Sequence, residues 1–575
     1  MNMRKTLLIL WMPVALAVNV TAVESQKAGT VTRQIQTTGE KGDAVTNVWI
    51  GDVAISQASG HTEQIDKSMF TALKAGDKIR ATFTSLKPGA QGKIMHGHSS
   101  WETVLAPVKK LATECGDYFE YTITDKMVAD IQTDGLRIGG TGYNLVSVDI
   151  IEPAREYAII SDFDKSDIKV WKKNETPKIT LLLQNLEPGE ITIPVVVKLS
   201  KDTYEDFSTY SQKVTIAGGG KKSVDVELKG LEPGFYRMTA KANNNTVLAY
   251  YIGYDPTAIG CENDAQPDFW TFWDGWKEKL AAVDIKAELT ELTGKSTASR
   301  KVYEVKMQSV PDETGGAPVN IYGYYAEPTG GGTHPCLIRY QGTDSGWGTP
   351  KAMGGDDDPE WCELIISTRG QMLSRMREGN GKYIPEGKTS ADFYAYGFGD
   401  RDRHYYRAAY LDCVRAIDFV ASRKAVDKKQ IFAAGGSQGG CFTFVAAGLD
   451  SRLRAIAPSI TGHADFKHTK QIVAWPTNVF AGKQAELGWT DSQIDEFNSY
   501  FDTKNFASRI TCPVITSFSL QDQVDGPHLN IAPYNLLINV DGKDKEYCVN
   551  PFLGHATPTT WESVLKAFFN RYMLK

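Results

Sequence analysis

Apolar positions change rhythm along this 575-residue chain near residue 260. Before that point, short apolar runs alternate with polar positions between turns, the period-two signature of strands packed on one face. Runs at 47–55, 78–84, 118–123 and 144–151 are broken by Leu86-Lys87-Pro88-Gly89 and Gly139-Gly140-Thr141-Gly142. A second series, at 178–184, 191–199, 213–216, 223–228, 234–242 and 246–252, is punctuated by Leu186-Glu187-Pro188-Gly189 and Leu231-Glu232-Pro233-Gly234. Proline and glycine at these places stop strands and start turns. The pattern predicts two all-β sandwich domains, a jelly-roll-like one over 23–152 and an immunoglobulin- or fibronectin-like one over 153–258.

After residue 260 the runs become short solid apolar blocks alternating with helical periodicity. Segments 302–310 and 319–328 read as an antiparallel pair. Blocks 334–340, 363–367, 431–434, 453–457, 513–519 and 547–550 read as buried strands. Segments 405–422, 441–449 and 561–573 read as helices. Strands alternating with helices predict a mostly parallel sheet covered on both faces, one α/β domain over 259–575.

At the head of the chain, Arg4 and Lys5 precede an apolar stretch over 6–17 and the small residues Val20-Thr21-Ala22. This is the composition of a secretory signal peptide over 1–22, too short in its apolar part for a membrane span, and it leads us to expect a periplasmic or secreted protein. No other segment reaches the length of a spanning helix, so no membrane insertion is expected. A net charge of −6 supplies no basic surface for nucleic acid, and no nucleic-acid partner is expected. The eight cysteines, at 115, 261, 336, 362, 413, 441, 512 and 548, form no close pair, so buried free thiols are favoured over a disulfide framework. No His/Cys group has metal-ligand spacing, and neither metal nor cofactor is expected.

The chemistry concentrates at Gly435-Gly436-Ser437-Gln438-Gly439, a GxSxG pentapeptide. Alone it is an ordinary glycine turn about as often as a nucleophile. Here an apolar strand runs into it and an apolar helix runs out, the setting in which a serine is thrust out of a sheet with small residues on either side. A serine hydroxyl needs a base, and on this scaffold acid and then histidine follow the serine in the chain. Four histidines follow: His463, His468, His528 and His555. His555 lies past a strand and before the last helix and is the chosen base, with His528 as fallback. Asp522, just past the strand over 513–520, is the chosen acid, and Asp525 the runner-up. The oxyanion formed during acyl transfer needs two donors. These are assigned to the backbone N–H of Gln438, next after the nucleophile, and of Thr343, in the turn after an early strand.

Together with Arg369-Gly370-Gln371, Gly554-His555, Tyr405-Tyr406-Arg407, Tyr410-Leu411-Asp412, Arg415-Ala416 and Asp268-Phe269-Trp270 with Phe272-Trp273, these residues resemble the acetyl xylan esterase and cephalosporin-C deacetylase family over roughly 265 to 575. The resemblance implies an α/β-hydrolase fold and a Ser437-His555-Asp522 triad. It also implies an acetylated polysaccharide or oligosaccharide as substrate, and Arg369 and Gln371 as structural supports near the site. Ala556 stands where that family usually has Glu, Thr343 where it has Tyr, and Thr368 where an acidic residue is common. A homo-oligomer of the family's ring type is a further expectation, one that the β-rich first half stands to block. Two other readings compete: an esterase or peptidase of different acyl specificity, and a non-catalytic carbohydrate-binding protein whose Trp101 and Tyr143 would stack on sugars, although a core or domain-interface position is the commoner place for such rings.

Overall fold

A computed structural model describes residues 44–55, 63–96, 103–104, 109–111, 117–152, 157–160, 169–185, 189–242, 245–311, 315–343, 360–378, 393–473 and 475–574. The proposed leader 1–22, Trp101 and Cys115 lie outside them. The chain divides into two compact units, Met1–Pro256 with Pro551–Gly554, and Thr257–Asn550 with His555–Lys575.

The first unit is rich in β strands. Ala44–Ile55, Tyr143–Glu152, Lys78–Thr84 and Tyr118–Thr122 form an antiparallel four-stranded sheet. Glu63–Ile65, Leu136–Thr141, Gln91–His96 and Thr103–Val104 line up in a second, with Lys109–Lys110 also on Gln91–His96. Ile79, Ile94, Phe119 and Leu145 share one core. Further along, a three-stranded sheet holds Lys178–Asn185 between Tyr157–Ile160 and Lys221–Glu227. A five-stranded one runs Val170–Trp171, Asn245–Tyr254, Gly234–Ala242, Ile191–Lys201, Asp206–Ile216. The strand Ile191–Lys201 shows why these segments read as strands. Ile193, Val195, Val197 and Leu199 are buried at every second position, against Ile179, Leu181 and Leu183 of the facing sheet, as a pleated backbone requires.

Of the two readings, core aromatic and sugar platform, the structure supports the core for Tyr143. It is only 2% exposed, with its ring against Phe83 and Phe119 and its hydroxyl donating to the Gly139 carbonyl at 2.7 Å. It opens its strand on the inward face, so it is a core residue and not a surface platform for sugar.

The second unit carries a nine-stranded sheet. Its strands are β1 (Glu288–Glu291), β2 (Arg300–Ser309), β3 (Val319–Pro328), β4 (His334–Tyr340), β5 (Cys362–Ser367), β6 (Val426–Gly436), β7 (Leu453–Ser459), β8 (Val514–Ser519) and β9 (Lys545–Asn550), in the spatial order β1-β2-β3-β5-β4-β6-β7-β8-β9. Pairs along β1-β2-β3-β5 are antiparallel, and all later neighbours are parallel. Every residue of β5 and β8 is buried, as in strands covered on both faces. Helices α1 (Tyr405–Ser422), α2 (Gln438–Leu449) and α3 (Trp561–Tyr572) pack on this sheet. All twelve residues of α2 are buried, and its sequence is correspondingly apolar on every side.

Several elements went unread in the sequence. The helices Phe269–Ala281, Phe466–Ile472, Thr477–Leu487 and Asp491–Ser499 were not anticipated. Among the described residues no helix is long and apolar enough to cross a membrane. The seven described cysteines are free thiols, four of them buried.

Phe569 of α3 is fully buried, its ring centroid 4.9 Å from that of Phe432 on β6. Phe569→Ala should lower the stability of the second unit by about 3–5 kcal/mol, read from urea unfolding, because the sheet cannot collapse into the vacated volume.

Candidate active site

Strand β6 ends at Gly436, and Ser437 then adopts φ 59° and ψ −127° before α2 begins. A left-handed φ at a residue with a side chain is strained, and it lifts the hydroxyl clear of both strand and helix. Neighbours fix the turn: Ser437 N–H donates to Ser459 O at 3.0 Å, and Gly440 N–H donates to Ser437 O at 2.8 Å. Glycine is obligatory at 439. A Cβ there would stand 2.2 Å from Tyr340 O and 3.0 Å from the Gln341 carbonyl carbon. The end of β4 therefore presses its backbone directly on the start of α2. Thr343 follows three residues after the end of β4, half-buried.

Gln438 is fully buried, and its side chain is tied on two sides. Its Nε2 donates to the Tyr406 hydroxyl at 3.0 Å, and its Oε1 accepts from Gln371 Nε2 at 2.8 Å. Gln371 Nε2 also donates to the Tyr405 hydroxyl at 2.9 Å, which donates to Arg369 O at 2.8 Å. Arg369 in turn grips Asp412 of α1. Its Nη2 lies 2.5 Å from Oδ1, while its Nε and its own backbone N–H donate to Oδ2 at 2.9 and 3.0 Å. Both side chains are entirely buried. A paired, forked ion pair of this kind orients its surroundings as much as it binds them. Arg369 and Gln371 thus hold the residue whose N–H opens α2, from behind.

The acid and base positions also converge. His555 Nδ1 lies 2.8 Å from Asp522 Oδ2. Asp522 Oδ1 accepts the backbone N–H groups of Val524 and Asp525 at 2.9 and 3.0 Å, which fixes the carboxylate in its loop. Ser519 Oγ donates to Ala556 O at 2.6 Å, tying the histidine loop to the end of β8. The serine hydroxyl donates to Asp525 Oδ2 at 3.2 Å, and the same oxygen is 3.8 Å from His555 Nε2. Ser437, Asp522 and His555 therefore meet, with the Asp525 carboxylate between hydroxyl and ring. Asp525 had been weighed only as a substitute acid. Its contact with the nucleophile carried no sequence signal beyond its place three residues after Asp522.

His528 is engaged elsewhere. Its Nε2 is 2.8 Å from Asp465 Oδ2, and its ring stacks on His468 with centroids 3.6 Å apart. His463 lies buried between Tyr394 and Tyr406, and burial drives its pKa down to about 3, leaving it neutral. Within the second unit, Cys261, Asp465 and His528, which no sequence spacing had linked, bring ligand atoms within 4.8 Å of one another. Lys504 Nζ already neutralises Asp465 at 2.7 Å.

Removing the negative half of the Arg369–Asp412 pair leaves a guanidinium buried without a counter-charge. Asp412→Asn should cost about 3–5 kcal/mol of stability in urea unfolding.

The acetyl xylan esterase family model matches residues 259–572. Acetyl esterase Axe7A of Xylanibacter ruminicola is 24% identical over 365 residues, covering 61% of this chain and 76% of that protein. The acetyl xylan esterase of Paenibacillus sp. R4 is 29% identical, with 55% of this chain and 98% of that chain covered at a TM-score of 0.47. Acetyl xylan esterase 1 of Thermoanaerobacterium sp. JW/SL YS485 is 22% identical, with 55% and 96% covered at a TM-score of 0.48. Matched by that model over more than half its length, the chain belongs to the acetyl xylan esterase family and is a carboxylic ester hydrolase.

Proposed function

We propose that this hydrolase removes acetyl groups from acetylated xylan-type polysaccharides or oligosaccharides through an acyl-enzyme on Ser437. The observation that carries the proposal is the strained serine at the head of α2, with the His555–Asp522 pair reaching the same carboxylate oxygen that its hydroxyl touches. In this scheme Ser437 Oγ turns from Asp525 to His555 Nε2, gives up its proton and attacks the ester carbonyl. Asp522 holds the ring by Nδ1 and favours the imidazolium that forms. The N–H groups of Gln438 and Thr343 receive the developing oxyanion. The C–O bond to the sugar then breaks, and the sugar oxygen leaves with the proton from His555. Water, deprotonated by the same imidazole, hydrolyses the acyl-enzyme and releases acetate.

The β-rich first half fits two sandwich modules over 23–152 and 153–258, each with its own pair of sheets and its own core. The leader-like composition of 1–22 supports work outside the cytoplasm, where a polymeric substrate is met.

The purified protein should release acetate from acetylated xylan or xylo-oligosaccharides, and Ser437→Ala should lower kcat by about 10⁴-fold or more. A protein inert on every small acetyl ester would defeat the proposal. Faster turnover of butyryl or feruloyl esters, or of aminoacyl amides, would keep the serine chemistry and change the substrate.

A further inference from the structure

The acyl-transfer scheme uses one carboxylate, Asp522, and leaves a second one in the same site without a role. We propose that Asp525 tunes this site without being required for acyl transfer itself. Its carboxyl group holds the Ser437 hydroxyl and faces His555 Nε2, and so sets the pH above which the imidazole is free to act as a base. The proposal rests on the roles given above to Ser437 and His555.

Three distances define the arrangement. Asp522 Oδ2 is 2.8 Å from His555 Nδ1, Asp525 Oδ2 is 3.8 Å from His555 Nε2, and Asp525 Oδ2 accepts from Ser437 Oγ at 3.2 Å. The imidazole is thus flanked by a carboxylate at each nitrogen. A doubly protonated ring can offer a proton to both, whereas a neutral ring has only one N–H to give. Opposite charges this close favour the charged form of each, so an ionised Asp525 makes the ring hold its second proton more tightly.

The carboxylate is built into place. Its backbone N–H donates to Asp522 Oδ1 at 3.0 Å. On the far side, a Cβ at Gly462 would stand 2.5 Å from Oδ1 and 2.7 Å from Oδ2, so only glycine leaves room for it. The titratable groups around it are few. Asp522 comes from its own loop, His555 from the loop before α3, and Cys441 from α2. Tyr394 comes from the segment before α1, and both Tyr394 and Cys441 stay neutral because burial raises their pKa. His463, beside Gly462, is neutral by burial. Among the described residues no lysine or arginine is one of the groups acting on Asp525. Burial holds its carboxyl well above the usual carboxylate range; the Asp522 charge adds to this, while His555 and the serine hydrogen bond oppose it.

The sign follows. Productive catalysis needs His555 Nε2 bare, so the acid limb of the rate profile stands at a higher pH than the histidine alone would give. An amide or methyl at 525 removes the competing charge and moves that limb down.

The test is the pH dependence of kcat/KM on a soluble acetyl ester, from about pH 5 to 9. Wild type, Asp525→Asn and Asp525→Ala are compared, with the rate of fluorophosphonate labelling of Ser437 followed in parallel and folding checked by circular dichroism. Both variants should show the acid limb about one pH unit or more below wild type, in hydrolysis and in labelling alike. An unchanged limb in an active variant would overturn the proposal. So would folded variants that never label, since the carboxylate would then be indispensable chemistry, and so would failure of both variants to fold, which would make it a structural residue. A wild type that neither hydrolyses nor labels would instead sink the esterase mechanism itself.

Discussion

The carbonyl oxygen of Tyr340 occupies the space that a side chain at 439 would need, 2.2 Å from an ideal Cβ. That close approach sets the rest of the site. It forces the backbone of β4 against the first turn of α2, and it leaves Ser437 no relaxed conformation between strand and helix. Gly435 meets the same constraint from the other side, since its Cβ would fall 2.4 Å from Gly439 O. Close packing of backbone on backbone is stiff, because no rotamer change relieves it. The hydrogen-bonded chain from Asp412 through Arg369, Tyr405 and Gln371 to Gln438 then braces the same turn from beneath. Ser437 stands on a rigid pedestal, while Asp522 and His555 sit on loops whose ends are pinned to β8 and β9.

Much of this was legible in the chain because the two units obey different burial rules. In the first, sheets with one face inward give alternation, and strands such as Ile191–Lys201 could be read position by position. In the second, strands buried on both faces lose the alternation, and the apolar runs Cys336–Ile338 of β4 and Leu364–Ile366 of β5 stood out for that reason. The elbow was legible because strand, glycines, serine and apolar helix are contiguous. The order Ser437, Asp522, His555 then chose the partners, and geometry brings all three to one place.

What escaped reading depends on contacts between distant segments. Asp525 touches the serine because the loop after β8 curls so that its N–H reaches the Asp522 carboxylate, and because Gly462 leaves a slot for it. Neither fact has a local pattern. The helix Thr477–Leu487 buries only Phe480, and the nine-residue helix Asp491–Ser499 offers only Ile494 and Phe497 as apolar positions, too short a pattern to distinguish from loop. Tyr143 offered a core and a sugar-stacking reading, and its burial supports the core. Its inward position follows from the register of its strand against Ala44–Ile55.

The left-handed backbone at 437 also narrows what evolution can place there. Proteins draw activated hydroxyl and thiol nucleophiles from serine, threonine and cysteine. A branched Cβ is a severe misfit at positive φ, so the threonine route is closed to this scaffold. A single base change leading from serine to cysteine would keep the geometry, whereas one leading to threonine would have to unbend the turn that makes the position reactive.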